Sequence, residues 1–187
     1  MDKPSLVIPF YNEGVRILDL LDQISTSRFL FKEIISIDDG STDGTDNLIT
    51  QKFPWVKLIK ISRNKGKSNA VKKGLLFATT DNVVLIDADL KNVGTLNWNE
   101  IFTNFKNNKL DMLIIIPHKD NTLDNLLLNS HIILSGTRII NRLKLLDFYK
   151  REKPKRFQLE FAINKYFIGK NYRFDVFQSN LRNILHF

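Results

Sequence analysis

Short apolar runs rich in Ile and Val alternate, through the first 117 residues, with longer segments whose apolar positions recur at helical spacing. No other feature constrains the fold as strongly. A continuous apolar run of four to eight residues fits a strand covered on both faces, and a helix between successive strands is the connection that a parallel sheet needs. Strands are predicted at Ser5–Pro9, Glu33–Asp38, Val56–Ile61, Asn82–Asp87 and Met112–Pro117. Ile17, Leu20, Leu21 and Ile24 mark a first helix after Gly14, and the cluster Ser41-Thr42-Asp43 opens a short second one that runs to about Gln51. Ser68–Ala78 and Leu96–Phe105 complete the helices of this part, so the expected class is α/β with a mostly parallel sheet.

After Pro117 the rhythm changes. His118–Asn125 is polar and loop-like and Leu126–Leu134 is mostly apolar; Arg138–Tyr149 and Arg156–Phe167 read as helices, and Tyr172–Phe177 as a last strand. This second part is too short and too aromatic to stand alone. The expected organisation is one domain, with residues 1–117 forming the α/β part and residues 118–187 an extension packed against the sheet.

A chain of 187 residues buries a core without covalent staples, and it has no cysteine. That absence excludes thiolate catalysis, cysteine-ligated zinc and iron–sulfur chemistry, and it fits a reducing compartment. Met1-Asp2-Lys3-Pro4 runs straight into the first strand, with neither the basic flank nor the long apolar run of a signal peptide, and no apolar stretch approaches the roughly 20 residues that span a bilayer. A cytoplasmic protein is expected. Its net charge of +8 points to an anionic partner, and five of those charges fall between Arg142 and Arg156, where seven basic residues face Asp147 and Glu152. That segment is either a solvated helix end and loop or the place where an anionic partner is met: a phosphate-bearing small molecule, nucleic acid, or, as a peripheral contact, an anionic membrane face. No helix-turn-helix or single-strand-binding signature accompanies the charge, so nucleic acid is not the expected partner.

In open α/β sheets ligands bind beyond the carboxyl ends of the strands. Three loops there carry unusual polar residues: Pro9-Phe10-Tyr11-Asn12-Glu13-Gly14, Asp38-Asp39-Gly40-Ser41-Thr42-Asp43-Gly44-Thr45, and Asp87-Ala88-Asp89-Leu90. Familiar phosphate and calcium motifs do not explain them. Gly66-Lys67-Ser68 lacks the earlier glycine of a P-loop, since Ile61 stands in its place. Asp38–Thr45 lacks the alternating ligands and closing glutamate of a calcium loop, and no Gly-x-Gly-x-x-Gly follows the first strand. Carboxylates repel phosphate, so a divalent cation is the natural bridge between this edge and a diphosphate. Asp87-Ala88-Asp89 offers hard oxygen ligands at the spacing required, with small Ala88 permitting close approach.

In order and spacing, Val7-Ile8-Pro9-Phe10-Tyr11-Asn12-Glu13, Asp38–Thr45, Asn64-Lys65-Gly66-Lys67 and Asp87-Ala88-Asp89-Leu90 resemble the signatures of family 2-like glycosyltransferases of the GT-A, Rossmann-like fold, over about half the chain. The resemblance implies transfer of a sugar from a UDP- or GDP-linked donor with Mg²⁺ or Mn²⁺. It implies that Pro9, Tyr11 and Glu13, with Asn12 between them, border the nucleobase and ribose, that Asp39 accepts a hydrogen bond from the base, and that Gly66 and Lys67 approach the donor. Asp87, with Ala88, lies near the ribose or metal, and Asp89 is the principal metal ligand.

In the second part, Leu134-Ser135-Gly136-Thr137-Arg138-Ile139-Ile140-Asn141-Arg142 resembles the Ser-Gly-x-Arg segment of polyprenyl-phosphate sugar transferases and of short relatives of glucosyl-phosphoglycerate synthases, and Phe157–Ala162 resembles the helix that follows it. Ser135, Gly136, Arg138, Arg142 and Glu160 are the acceptor-side candidates, with Asp89, Arg138 and Glu160 as the catalytic ones. Four residues apart on a helix, Arg138 and Arg142 would share a face and grip one phosphate; the alternative is a pair of surface arginines. Glu160 is either a half-buried polar group or an acceptor-binding residue. Several relatives carry a metal-binding histidine after the last strand, where this chain reads Phe177-Gln178-Ser179-Asn180-Leu181-Arg182, so no third metal ligand is assigned; His118, His131 and His186 are read as loop, packing and terminal residues. The acceptor is expected to be phosphorylated or otherwise anionic. A nucleotide-sugar-binding module without catalysis is the rival reading.

Overall fold

The computed structural model describes residues 2–117, 135–154 and 158–179. Among the described residues, seven strands form one sheet in the order β3-β2-β1-β4-β6-β5-β7. They are β1 (Ser5–Phe10), β2 (Glu33–Asp38), β3 (Val56–Lys60), β4 (Asn82–Leu85), β5 (Met112–Pro117), β6 (Arg138–Asn141) and β7 (Phe174–Ser179). Helices α1 (Val15–Ser25), α2 (Thr45–Lys52), α3 (Lys67–Phe77) and α4 (Trp98–Asn107) connect the first five strands, and α5 (Arg142–Arg151) and α6 (Leu159–Gly169) follow β6. Strands β1 to β4 pair in parallel, with β1 between β2 and β4.

Strand parity sets the two cores. Leu6, Ile8 and Phe10 face the side covered by α1 and α4, among Leu20, Ile24, Trp98 and Ile101. Val7 points the other way, with Ile35 and Ile37, into a core closed by α3, α5 and α6 through Val71, Leu75, Phe148 and Phe167. A strand buried on both sides cannot carry polar alternation, which is why β1 reads as a continuous apolar run.

Two sequence expectations fail here. The stretch expected to be one helix, Arg138–Tyr149, begins as strand β6, antiparallel to both β4 and β5, and turns helical only at Arg142. Neighbouring Ile139 and Ile140 enter opposite cores, a period of two that no helix supplies. Asn141 then caps α5 by accepting the Lys144 backbone N–H at 3.1 Å. The second part is therefore woven into the sheet: β6 separates β4 from β5, and β7 pairs in parallel with β5. The readings of His118–Asn125, Leu126–Leu134, Arg156, Phe157, His131 and His186 lie outside the described residues. Among the described residues no helix is long and apolar enough to cross a membrane.

Candidate nucleotide and metal site

Because β1, β2, β3 and β4 run the same way, the loops after them meet at one sheet edge, and antiparallel β6 begins at that edge. A cleft of about 320 Å³ opens there. Pro9, Tyr11 and Glu13 reach it from β1, Asp39 from β2, Gly66 and Lys67 from the start of α3, and Asp87, Ala88 and Asp89 from β4. Phe10, Asn64 and Ala70 complete the lining.

Asp39 is 2 % exposed, and its carboxylate accepts the backbone N–H of Gly66 at 2.6 Å and that of Lys65 at 3.0 Å. Gly40 makes this approach possible. Its φ of +84° belongs to the left-handed region, and a Cβ there would stand 2.7 Å from the Arg63 carbonyl carbon. Asn12, expected among the donor-binding residues, ties two loops together: its N–H donates to Ser41 Oγ and its Oδ1 accepts from the Thr42 N–H, each at 2.9 Å.

Lys67 joins the two halves of the site. Its Nζ lies 2.5 Å from Asp87 Oδ1 and 2.6 Å from Glu160 Oε1. Burial works against the charged lysine, but the two carboxylates outweigh it and raise its pKa. Burial also disfavours the Glu160 anion, and Lys67 more than offsets it, leaving that carboxyl below its ordinary value. Glu13 behaves oppositely. Burial raises its pKa, Arg16 opposes the rise at 2.8 Å, and Asp89, Asp87 and Asp43 add to it. Carboxylates thus crowd one side of the cleft.

Asp87 and Asp89 fit a divalent cation by their chemistry: hard oxygens two residues apart, with Asp89 exposed at the cleft. Among the described residues no three His, Cys, Asp or Glu side chains gather into a metal cage. Two protein carboxylates with open positions suit an ion that takes its other ligands from water and phosphate oxygens, as Mg²⁺ does.

The two acceptor-side arginines are not brought together. Arg138 is 1 % exposed, at the cleft end of β6; its Nη1 donates to Asn164 Oδ1 at 3.1 Å and its Nη2 to the Ser135 carbonyl. Burial lowers its pKa to about 10. Arg142 lies at the far end of that strand, roughly 13 Å along the chain at strand rise, where its Nε donates to the Thr80 carbonyl at 2.7 Å. Ser135 and Gly136 sit beside the cleft, where Gly136, Arg138, Glu160 and Lys67 share a small adjoining void with Asp87. Sequence reading missed Asn164, a buried polar residue one turn after Glu160 in a helix rich in apolar residues, and that position was the available signal.

Three comparisons bear on this geometry. The dolichyl-phosphate beta-glucosyltransferase of Dictyostelium discoideum is 38% identical over 98 residues, which cover 46% of this chain and 30% of that protein. The mannosyltransferase PcManGT from Pyrobaculum calidifontis, solved with GDP-Man and Mn²⁺, superposes with a TM-score of 0.76 at 20% identity over 94% of this chain and 55% of its own. Glucosyl-3-phosphoglycerate synthase from Mycobacterium tuberculosis, solved with Mn²⁺ and UDP-Glc, gives 0.73 at 20% identity over 97% and 71%. The chain spans less than a third of the dolichyl-phosphate enzyme and about half of the mannosyltransferase. The structural likenesses establish the fold, which is GT-A. Residues 5–171 match the family model for Glycosyl transferase family 2, and with most of its length inside that match the chain belongs to this family.

Proposed function

We propose that this chain transfers a sugar from a UDP- or GDP-linked nucleotide diphosphate donor to a phosphorylated or otherwise anionic acceptor, using Mg²⁺ or Mn²⁺. The observation that carries the proposal is the convergence of Asp39, Lys67, Asp87 and Asp89 on one cleft at the carboxyl edge of the sheet. Pro9 and Tyr11 wall the nucleoside end, Asp39 holds the loop that floors it, and Asp87 and Asp89 would hold the cation. A cation there supplies neutralisation of the charge that develops on the departing diphosphate. Lys67 adds a positive charge beside the same oxygens.

Glu160 bears on the acceptor. An alcohol needs a general base, whereas a phosphate arrives already ionised. Held low by Lys67, Glu160 is a weak base at neutral pH, which favours the ionised acceptor. This replaces the shared grip of Arg138 and Arg142 as the reason for that choice. The dolichyl-phosphate relative supports the same class. In this reading residues 1–117 supply the donor loops and residues 118–187 the acceptor side, and the chain works on the cytoplasmic side with exposed Lys150 and Lys153 toward an anionic membrane face.

The test is a panel of UDP- and GDP-sugars incubated with Mn²⁺ and with short polyprenyl phosphates or phosphoglycerate, scored by release of nucleoside diphosphate. Release that rises with an acceptor and stops with chelator is expected. Donor binding without turnover on any acceptor would favour a non-catalytic binding module.

A further inference from the structure

Gly136 lies directly against Asp87. A Cβ built on it would stand 2.8 Å from Asp87 Oδ1, 2.5 Å from Cγ and closer still to Oδ2. Its backbone does not call for glycine, because the positive-φ glycines are Gly14, Gly40, Gly44 and Gly66. What the position requires is room for a carboxylate. Opposite this contact stands Lys67, whose Nζ takes Oδ1 at 2.5 Å, so Asp87 is held between a flexible cation and a stretch of backbone.

That backbone is anchored from several directions. Ser135 Oγ donates to the Ile115 carbonyl at 2.6 Å and accepts the Thr137 N–H at 3.2 Å, and the Ile115 N–H donates to the Thr137 carbonyl at 2.9 Å. Arg138, buried among core residues, donates to the Ser135 carbonyl and to Asn164 Oδ1 on α6. The turn is fixed to β5, to its own strand β6 and to α6 at once.

We propose that Ser135–Arg138 is a backstop for Asp87, in which Gly136 leaves the space that the carboxylate occupies and Arg138 fastens the turn that defines it. Both are positioning residues: they set where the Asp87 oxygens stand when a cation arrives, and touch neither donor nor acceptor. Arg138 thereby acts on the donor side of the site. The inference rests on the proposed function for the cation, while the contact between Gly136 and Asp87 stands without it.

Calorimetric titration of the full chain with UDP and GDP, in Mn²⁺ and in chelator, tests this in wild type, Gly136→Ala, Asp87→Asn and the double variant. An added methyl turns the Asp87 carboxylate away, so Gly136→Ala should lose roughly tenfold or more of the Mn²⁺-dependent gain in affinity, the size of one charge-assisted contact. Its metal-free affinity should stay at the wild-type value. In the Asp87→Asn background the same substitution should change nothing further, because coupled sites are non-additive. Retention of the full gain in Gly136→Ala, or an equal fall with and without Mn²⁺, overturns the proposal. A wild type without any Mn²⁺-dependent gain sinks the proposed function instead, and thermal melting then decides the contact. If Gly136→Ala lowers Tm, Gly136→Ala/Asp87→Ala should recover it, since the clashing partner is gone; failure to recover places the need for glycine elsewhere and overturns the backstop.

Discussion

Replacing Asp39 by Asn tests how the cleft is built. The Asp39 carboxylate accepts from the Gly66 N–H at 2.6 Å and from the Lys65 N–H at 3.0 Å and 3.1 Å to its two oxygens. An amide of the same shape offers one acceptor oxygen. If that oxygen serves Gly66, the Lys65 N–H meets an NH₂ group, and the surviving bond has lost its charge. The loss of one charge-assisted hydrogen bond is worth on the order of 1.5–3 kcal/mol. It falls on the 62–66 loop rather than on either core, so it should appear as local opening. Amide hydrogen exchange at Lys65 and Gly66 should accelerate roughly tenfold to hundredfold, following about 1.4 kcal/mol per decade. Calorimetry should show nucleoside diphosphate affinity falling about tenfold, as the floor is ordered in fewer molecules. Wild-type exchange together with wild-type affinity would refute the structural reasoning. Weakened binding with unchanged exchange would instead move Asp39 into direct contact with the base.

Other perturbations separate residues that the sequence grouped. Arg138→Ala should destabilise the protein by about 2–5 kcal/mol in urea unfolding, since it removes the charge-assisted hydrogen bonds to Asn164 Oδ1 and the Ser135 carbonyl and empties a fully buried side-chain volume. Arg142→Ala should cost about 1 kcal/mol, for a single part-buried bond to Thr80, and leave nucleotide affinity unchanged. For Glu160, a folded pKa below the ordinary 4.5 means that the unfolded chain binds protons first on acidification. Its contribution is present above pH 4.5 and is lost as pH falls through the lower folded value, so the Tm advantage of wild type over Glu160→Gln should shrink across that window and disappear below it. A gap that is constant with pH would mean that the Lys67 pair contributes nothing to folding.

What was legible in the sequence was whatever depends on near neighbours. The apolar run Leu6-Val7-Ile8 announced a strand covered on both sides, and Asp87-Ala88-Asp89 after an apolar run announced carboxylates at a sheet edge. Strand β6 was lost because the spacing of Arg138 and Arg142 suits a helix, while only Ile139-Ile140 and the cap at Asn141 argued otherwise. A four-residue strand between two others is set by pairing with β4 and β5, which no local pattern encodes. The Lys67–Glu160 pair spans 93 positions, and the contact of Gly136 with Asp87 depends on β6 starting where β4 ends. Each of the four residues stands in a motif that the sequence singled out. Their pairing came from topology.

The most direct measurement is the anomalous scattering of Mn²⁺ in crystals grown with a nucleoside diphosphate, compared between wild type and Asp89→Asn. The proposed function requires one strong manganese peak touching Asp89, near Asp87, and shared with diphosphate oxygens, with Lys67 Nζ displaced from Asp87 Oδ1 or retained beside the phosphates; in Asp89→Asn the peak should be lost while the fold is kept. A nucleotide bound in the cleft with no manganese at Asp89, or manganese bound equally well in Asp89→Asn, would contradict it.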